Sequence, residues 1–412
     1  MGTPGVESSY HADNIDLVAY HDLGGRPAFK LAMQEVAGRW YLYMGHLWHR
    51  GWSILEVTDP TSPELVAFMP GPENTWTIQV QVAEGKMITA LERIAPGWGG
   101  VEGKPPEAEG FYTWDVSEPR KPRQLGQYKT NSTGTHRNFF DGGHLVHAAG
   151  GAPGLEKKIY QIVDISDPAR PKEVSRFWLP EQEPGKNPDG GWYSFHGPAH
   201  VEGSRAYLSY GSGGAIIVDI SDPARPRLAG QLRFRGISNH HGIHTFLPLP
   251  RRGLALVNDE AINEDGDENL NVAGIVDVRD QKAPRLLSLF PQPLPPPESG
   301  LKNFFEKRGR FGPHNHHHPN HQPCLEDRDD IAYLTYFNAG LRVYDIRDAR
   351  TPKEIAYFVP PDPAERIGTR PSRLVVQTED VLVDRRGFIY ISQKNQGIYI
   401  LRLKEVWPYR PE

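Results

Sequence analysis

Gln161-Ile162-Val163-Asp164-Ile165-Ser166-Asp167-Pro168 decides how this chain folds, because its pattern returns along the whole sequence. A β-branched run ends in an acidic residue, a turn and a proline step at Leu55-Glu56-Val57-Thr58-Asp59-Pro60, Trp114-Asp115-Val116-Ser117-Glu118-Pro119 and Val218-Asp219-Ile220-Ser221-Asp222-Pro223. Val276-Asp277-Val278-Arg279-Asp280 and Tyr344-Asp345-Ile346-Arg347-Asp348 repeat it without the first proline. A further proline follows at Pro63, Pro122, Pro171, Pro226, Pro284 and Pro352, and then another strand such as Lys172-Glu173-Val174-Ser175-Arg176-Phe177. The acidic-turn segment therefore reads as a hairpin turn between the last two strands of a repeating unit. Spacings of about 40 to 50 residues are those of propeller blades.

A seventh copy is incomplete. Val381-Leu382-Val383, Phe388-Ile389-Tyr390-Ile391 and Gly397-Ile398-Tyr399-Ile400-Leu401 make three strands with no fourth. At the other end, Ile15-Asp16-Leu17-Val18-Ala19-Tyr20 has the pattern of the outer strand Glu64-Leu65-Val66-Ala67-Phe68 with no blade before it. The expectation is an all-β, seven-bladed β-propeller in which this N-terminal strand completes the last blade and removes an open edge. One ring spans 1–412, with blades near 30–70, 75–128, 135–181, 195–236, 241–290, 313–358 and 375–403, the last completed by 15–21. The chain resembles the LVIVD-repeat family, whose namesake run is matched by Gln161-Ile162-Val163-Asp164-Ile165 and Ile216-Ile217-Val218-Asp219-Ile220.

Composition excludes several classes. A net charge of −5 with mixed signs leaves no basic stripe for nucleic acid and no polybasic membrane anchor. No stretch approaches the roughly 18 apolar residues of a membrane span, and Met1–Tyr10 lacks a signal-peptide core, so a cytoplasmic protein is expected. The single cysteine, Cys324, rules out an internal disulfide and a thiolate metal cluster, leaving nitrogen and oxygen ligands. There is no phosphate loop, no nucleophile elbow and no His-Glu-x-x-His pair. Gly211-Ser212-Gly213-Gly214 reads as a tight turn.

Loop lengths indicate the working face. The acidic turns are short and uniform, whereas 93–110, 182–195, 261–272, 291–313 and 359–374 are long, and all of these are expected on the opposite side. Pro291-Gln292-Pro293-Leu294-Pro295-Pro296-Pro297, followed by Phe304, Phe305 and Phe311, reads either as a stiff segment leading to an apolar lid or as a spacer without fixed structure.

Most of the 17 histidines fall where a blade's innermost strand begins, beside the central channel. His136 and His196 occupy equivalent offsets in the third and fourth blades. The fifth offers His240, His241 and His244, and the sixth offers His314, His316, His317, His318 and His321. One such histidine is ordinarily a structural hydrogen-bonding residue; equivalent ones in four successive blades suit a divalent transition metal, with Fe, Cu, Zn, Mn and Ni admissible by ligand type. The expected ligands are His136, His196, His244 and His314, with His241 and His316 as substitutes. Strand alternation puts His314 and His316 on one face and His317 on the other. His144 and His147 read as packing residues.

Loops between second and third strands bring Glu92-Arg93 and Asp259-Glu260 to the same face, at matching positions. Glu379 starts the inner strand of the last blade, and the first blade adds His46, Trp48, His49 and Arg50. Glu260, Glu92 and Glu379 are candidates for moving protons or orienting imidazoles. Arg93 and Arg137, with His46, His49 and Trp48, are candidates for holding a small-molecule substrate, arginine serving an anionic group.

A propeller does not select a reaction. By architecture the chain is similar to the selenium-binding protein or methanethiol oxidase family and to the carotenoid-cleaving oxygenases, which hold copper or iron with inward histidines, although none of their sequence motifs is matched here. That resemblance implies a metal-dependent oxidoreductase or oxygenase acting on a small, possibly aromatic molecule. A metal-dependent hydrolase or lyase using a glutamate, and a non-catalytic protein-binding propeller, stand as alternatives.

Overall fold

Seven antiparallel blades, six of them four-stranded and the second five-stranded, form the ring in the computed structural model, which describes residues 10–95, 97–234, 241–269 and 271–409. The first blade runs Ala28–Val36, Arg39–His46, Gly51–Glu56 and Glu64–Pro70 from the axis outward. The third (Thr135–Phe139, Leu145–Gly151, Lys158–Asp164, Lys172–Phe177), fourth (His200–Glu202, Arg205–Ser209, Ala215–Asp219, Arg227–Leu232) and fifth (Ile243–Leu249, Leu254–Asp259, Ala273–Asp277, Arg285–Leu289) repeat that order. In the second, Val80–Ala83 and the short Thr75–Trp76 both pair with Lys86–Arg93, followed by Gly110–Asp115 and Arg123–Tyr128. Residues 235–240, which include His240 and the expected end of the fourth blade, lie outside the described residues.

The repeat has a physical basis at both acidic positions. Asp115, Asp164, Asp219, Asp277 and Asp345 each accept a hydrogen bond from the backbone N–H two residues on, and Asp59, Asp167, Asp222, Asp280 and Asp348 do the same in the turn that follows. Carboxylates that close such turns fix the hairpin without a packing partner. In every blade the fourth strand then carries one extra residue opposite the third: Val66, Leu125, Val174, Ala229, Leu287, Ile355 and, in the N-terminal strand, Val18. A bulge at this place increases strand twist, and its recurrence at Val18 shows that the N-terminal strand is a true fourth strand.

Closure is therefore as expected: Ile15–His21 pairs with Ile398–Leu403 of the seventh blade, outside Phe388–Gln393 and Thr378–Val383. An unexpected addition precedes it. His11–Asp13 pairs with Lys353–Val359, so the N-terminus covers the outer edge of the sixth blade (Ile331–Thr335, Leu341–Asp345, Lys353–Val359) before closing the seventh. That blade's innermost segment is held by a bridge between His316 and Leu334 and by backbone bonds at His314 and His317.

Apolar clusters lie between adjacent blades: Leu247, Leu256 and Ile275 meet Leu334, Tyr344 and Ile346 in one of them. Phe304 and Phe311 of the proline-rich insertion are buried in that same cluster, and Asn338 donates to the carbonyls of Phe304 and Arg308, so 291–313 is an ordered cover. Asp265 and Gly309 exchange bonds that clasp this insertion to 261–272. Not every long insertion is on that face, however. Residues 319–330 join the first and second strands of the sixth blade at the acidic-turn side and cross the channel mouth, with Gln322 and His321 bonded to the carbonyls of Asp141 and Val201. No helix among the described residues is long and apolar enough to cross a membrane. Cys324 is buried, its thiol pushed up to about 11 by desolvation.

Candidate metal centre

Four imidazoles from four consecutive blades form an arc at the long-loop end of the channel. Ring centroids are 4.8 Å apart for His136 and His196, 5.2 Å for His196 and His244, and 5.0 Å for His244 and His314. His136 and His244 lie on innermost strands, while His196 and His314 stand just ahead of the corresponding strand positions. Burial depresses the basicity of all four, His244 to about 3, which keeps them neutral as metal ligands must be.

Outer partners set the ring orientations. A carboxylate only accepts, so His136 Nδ1 donates to Glu92 Oε2 at 2.5 Å. Arg137 only donates, and its Nη2 lies 3.1 Å from His244 Nε2 and 3.2 Å from His314 Nε2. His244 Nε2 is therefore an acceptor, with its ring proton on Nδ1 toward Thr245 Oγ1 (2.9 Å), while His314 Nδ1 faces both the Asn315 amide Nδ2 (3.2 Å) and Glu379 Oε2 (3.3 Å). Imidazoles whose Nδ1 is held from outside and whose Nε2 points inward are arranged as in metal sites. Glu260 stands at the centre: its Oε2 is 3.7 Å from His196 Nδ1 and 3.6 Å from His244 Nε2, and its Oε1 is 3.6 Å from His314 Nε2. His196, His244 and Glu260 offer donor atoms all within 4.8 Å of one another.

Four buried carboxylates here have a basic partner: Lys158 on Glu92 (3.0 Å), Arg310 on Glu260 (2.5 Å), Lys394 on Glu379 (2.8 Å) and Lys30 on Asp380 (2.9 Å). Burial alone would raise Glu92, but His136 and Lys158 outweigh it and hold its pKa near 2, and Arg310 and the imidazoles likewise hold Glu260 well below the usual range. Among the described residues Arg137 has no carboxylate at ion-pairing distance; it is 1% exposed and also bonds Asn315 Oδ1. It is the surplus positive charge of the site, facing the Nε2 atoms of both rings.

The model of the LVIVD repeat family matches residues 157–178 and 200–233, in the third and fourth blades. Those segments end in the bulged hairpins that the other blades share. The chain is a seven-bladed β-propeller with LVIVD repeats in its third and fourth blades. No curated protein matches the chain's sequence. Among solved structures, the computationally designed Ika8 protein aligns with 92% of this chain and 98% of its own at a TM-score of 0.50 and 9% identity, a likeness of fold alone.

Of the residues expected at the site, the propeller brings together His136, His196, His244, His314, Glu92, Glu260, Glu379 and Arg137. His241 is set apart from His196 by Trp192, whose ring lies 5.0 Å from one and 4.9 Å from the other. His316 lines a small cavity further along the channel, and His317, bonded to Glu326 O and Val383 N, faces the seventh blade. His46 does not reach the site: it is fully buried between Pro27 O and Ser53 Oγ and holds the first blade together. Trp48 donates to Lys394 O and stacks on Trp98, His49 is half-buried beside it, and Arg93 is exposed on the rim. His147 stacks on Tyr160 as a packing residue. Lys158, Arg310, Lys394, Asn315 and Trp192 went unnoticed in the sequence because no repeated pattern marks them.

Proposed function

We propose that this propeller is a metal-dependent enzyme, an oxidoreductase, acting on a small organic molecule at the imidazole arc. The observation that supports this most is the spacing of His196 Nδ1, His244 Nε2 and Glu260 Oε2, with Glu260 Oε2 at 3.7 and 3.6 Å from the two nitrogens. A tetrahedral ion with bonds of about 2.1 Å wants donors roughly 3.4 Å apart. Neutral imidazoles with one carboxylate suit Fe, Zn, Mn or Cu, and His136 and His314 flank the same point. Two histidines and a carboxylate leave coordination positions open, where a bound ion supplies oxygen activation or Lewis-acid chemistry.

The chain's own groups do the positioning. Glu92 fixes the His136 ring, Thr245 fixes His244, and Arg310 fixes Glu260. Arg137 shares the His244 lone pair that an ion needs, so it gives way on loading and keeps its bond to Asn315. His196 and Trp192 are the members left partly open, which puts the substrate's approach at the 182–195 insertion. Oxidation is favoured over hydrolysis or elimination because Glu92, Glu260 and Glu379 are each ion-paired with a lysine or arginine, a poor setting for a group that must exchange protons near neutrality.

Elemental analysis of protein purified without a histidine tag tests this reading. About one iron, copper or manganese per chain is expected, falling to background in His196→Ala, His244→Ala and Glu260→Ala. Zinc with oxygen-independent turnover would support the hydrolase or lyase alternative. No metal, or metal retained in all three variants, overturns the proposal in favour of a binding propeller.

A further inference from the structure

Below the imidazole arc the channel continues through a second group of histidines that the site does not use. Thr245 Oγ1, bonded to His244 Nδ1, and Asn315, bonded to Arg137, turn their other sides to a cavity of about 20 Å³. Lys30, Gln81, His200 and His318 also line it, with Phe139 as an apolar wall. That volume suits a single water, which needs two to four polar partners. His200 is 5% exposed and its Nδ1 meets no protein donor or acceptor, a costly state for a buried nitrogen unless a water bonds to it.

The histidines continue outward from that cavity. The His200 and His318 rings are 4.6 Å apart, and those of His318 and His321 are 6.3 Å apart. His318 also borders a cavity of about 780 Å³ at the acidic-turn face, walled by Glu202, His321, Gln322 and Asp327. His321 is half-exposed there, its Nε2 3.5 Å from Glu202 Oε2 and 3.9 Å from Asp141 Oδ2. Asn320 and His321 are held at φ 47° and 53°, a left-handed conformation unusual for side-chain-bearing residues and often kept at functional positions. Residues 319–323 are tied across the third and fourth blades by the bonds of His321 and Gln322 to the carbonyls of Val201 and Asp141, which fixes these rings at the channel mouth.

We propose that the channel is a proton route, in which a bound water with His200, His318 and His321 relays protons between Thr245 beneath the metal centre and solvent on the opposite face. His200 and His321 take a proton on one nitrogen and release one from the other, while His318, whose Nδ1 accepts from the Asn320 N–H, carries its proton on Nε2 and passes it on by turning its ring, so one proton enters, one leaves and no electron moves. The route rests on the catalytic reading for its purpose, since oxidation with substrate filling the partly open rim needs a separate path for protons. Its existence does not depend on metal or substrate.

The test is solvent exchange of the His244 ring N–H, followed by NMR in protein labelled with ¹⁵N-histidine. Exchange is expected to slow about tenfold or more in His318→Phe and His200→Phe, to slow less in the exposed His321→Ala, and to be largely kept in His318→Gln, which retains polar atoms. His321→Ala perturbs no buried packing, so it reports even where a phenylalanine variant fails to fold. Unchanged exchange in His321→Ala and in the folded phenylalanine variants overturns the route and places proton access at the long-loop rim. Metal content is a separate readout, which distinguishes failure here from failure of the catalytic reading.

Discussion

Carboxylates sit at both ends of the blades and do opposite work. At the turn face Asp115, Asp164, Asp219, Asp277 and Asp345 repeat from blade to blade, each bonded to its own backbone. At the other end Glu92, Glu260 and Glu379 are buried, each with an imidazole and a basic side chain of its own, Glu260 and Glu379 standing on opposite nitrogens of the His314 ring. The repeated acids make the fold. The unrepeated ones make the site, where burying charge is worthwhile only because each is paired.

Stability measurements can break this contrast. Lys394→Met strands Glu379, which is 0% exposed, and should cost roughly 3–5 kcal/mol in denaturant unfolding, with much of the loss recovered in the Lys394→Met/Glu379→Leu double variant. Asp164→Ala removes one turn bond at the surface and should cost about 1 kcal/mol. Equal losses at the two ends would mean that the distinction between fold-making and site-making acids is wrong.

Acid response sharpens it further. His46, His147 and His317 are held near 4, and His244 and His318 near 3, by burial, while the unfolded chain takes up protons at about 6.5. Their contribution is complete above about pH 6.5 and is lost as pH falls toward 4 and then 3, by roughly 1.4 kcal/mol per pH unit for each group. Asp115, held near 2 by Ser117 and Arg123, loses its contribution only as pH falls from about 3.8 toward 2. Calorimetry should therefore show Tm dropping between pH 7 and 5, before the turn aspartates titrate. A flat Tm over that interval would contradict the buried, neutral histidines.

Smaller effects concern metal affinity. Glu92→Gln and Thr245→Val, which loosen the His136 and His244 rings, should each weaken binding about 10- to 100-fold in a competition titration. Arg137→Gln removes the cation that faces His244 and His314, and should tighten binding by about tenfold. Weaker binding in Arg137→Gln would make the arginine a support of the site rather than a competitor.

The ring and its closure were legible because the turn acids and the bulged strand recur, even at Ile15–His21. The imidazole arc was legible for the same reason: His136 and His196 hold one offset in successive repeats. What escaped was whatever comes from outside the repeat. Arg310 arrives on the proline-rich cover, Lys158 and Lys394 sit at ends of ordinary strands, and His11–Asp13 is too short to carry a pattern. His46 misled because a histidine at a second-strand end reads the same whether it faces the axis or is buried between Pro27 and Ser53. The crossing loop 319–330 was hidden by its start inside the histidine run.

The most direct test is an anomalous difference map at the metal edge from crystals of untagged, metal-saturated protein. The account predicts one peak within about 2.3 Å of His196 Nδ1, His244 Nε2 and a Glu260 oxygen, with Arg137 moved off His244. A map without that peak, in which the Arg137 guanidinium still bonds both His244 and His314, would contradict it.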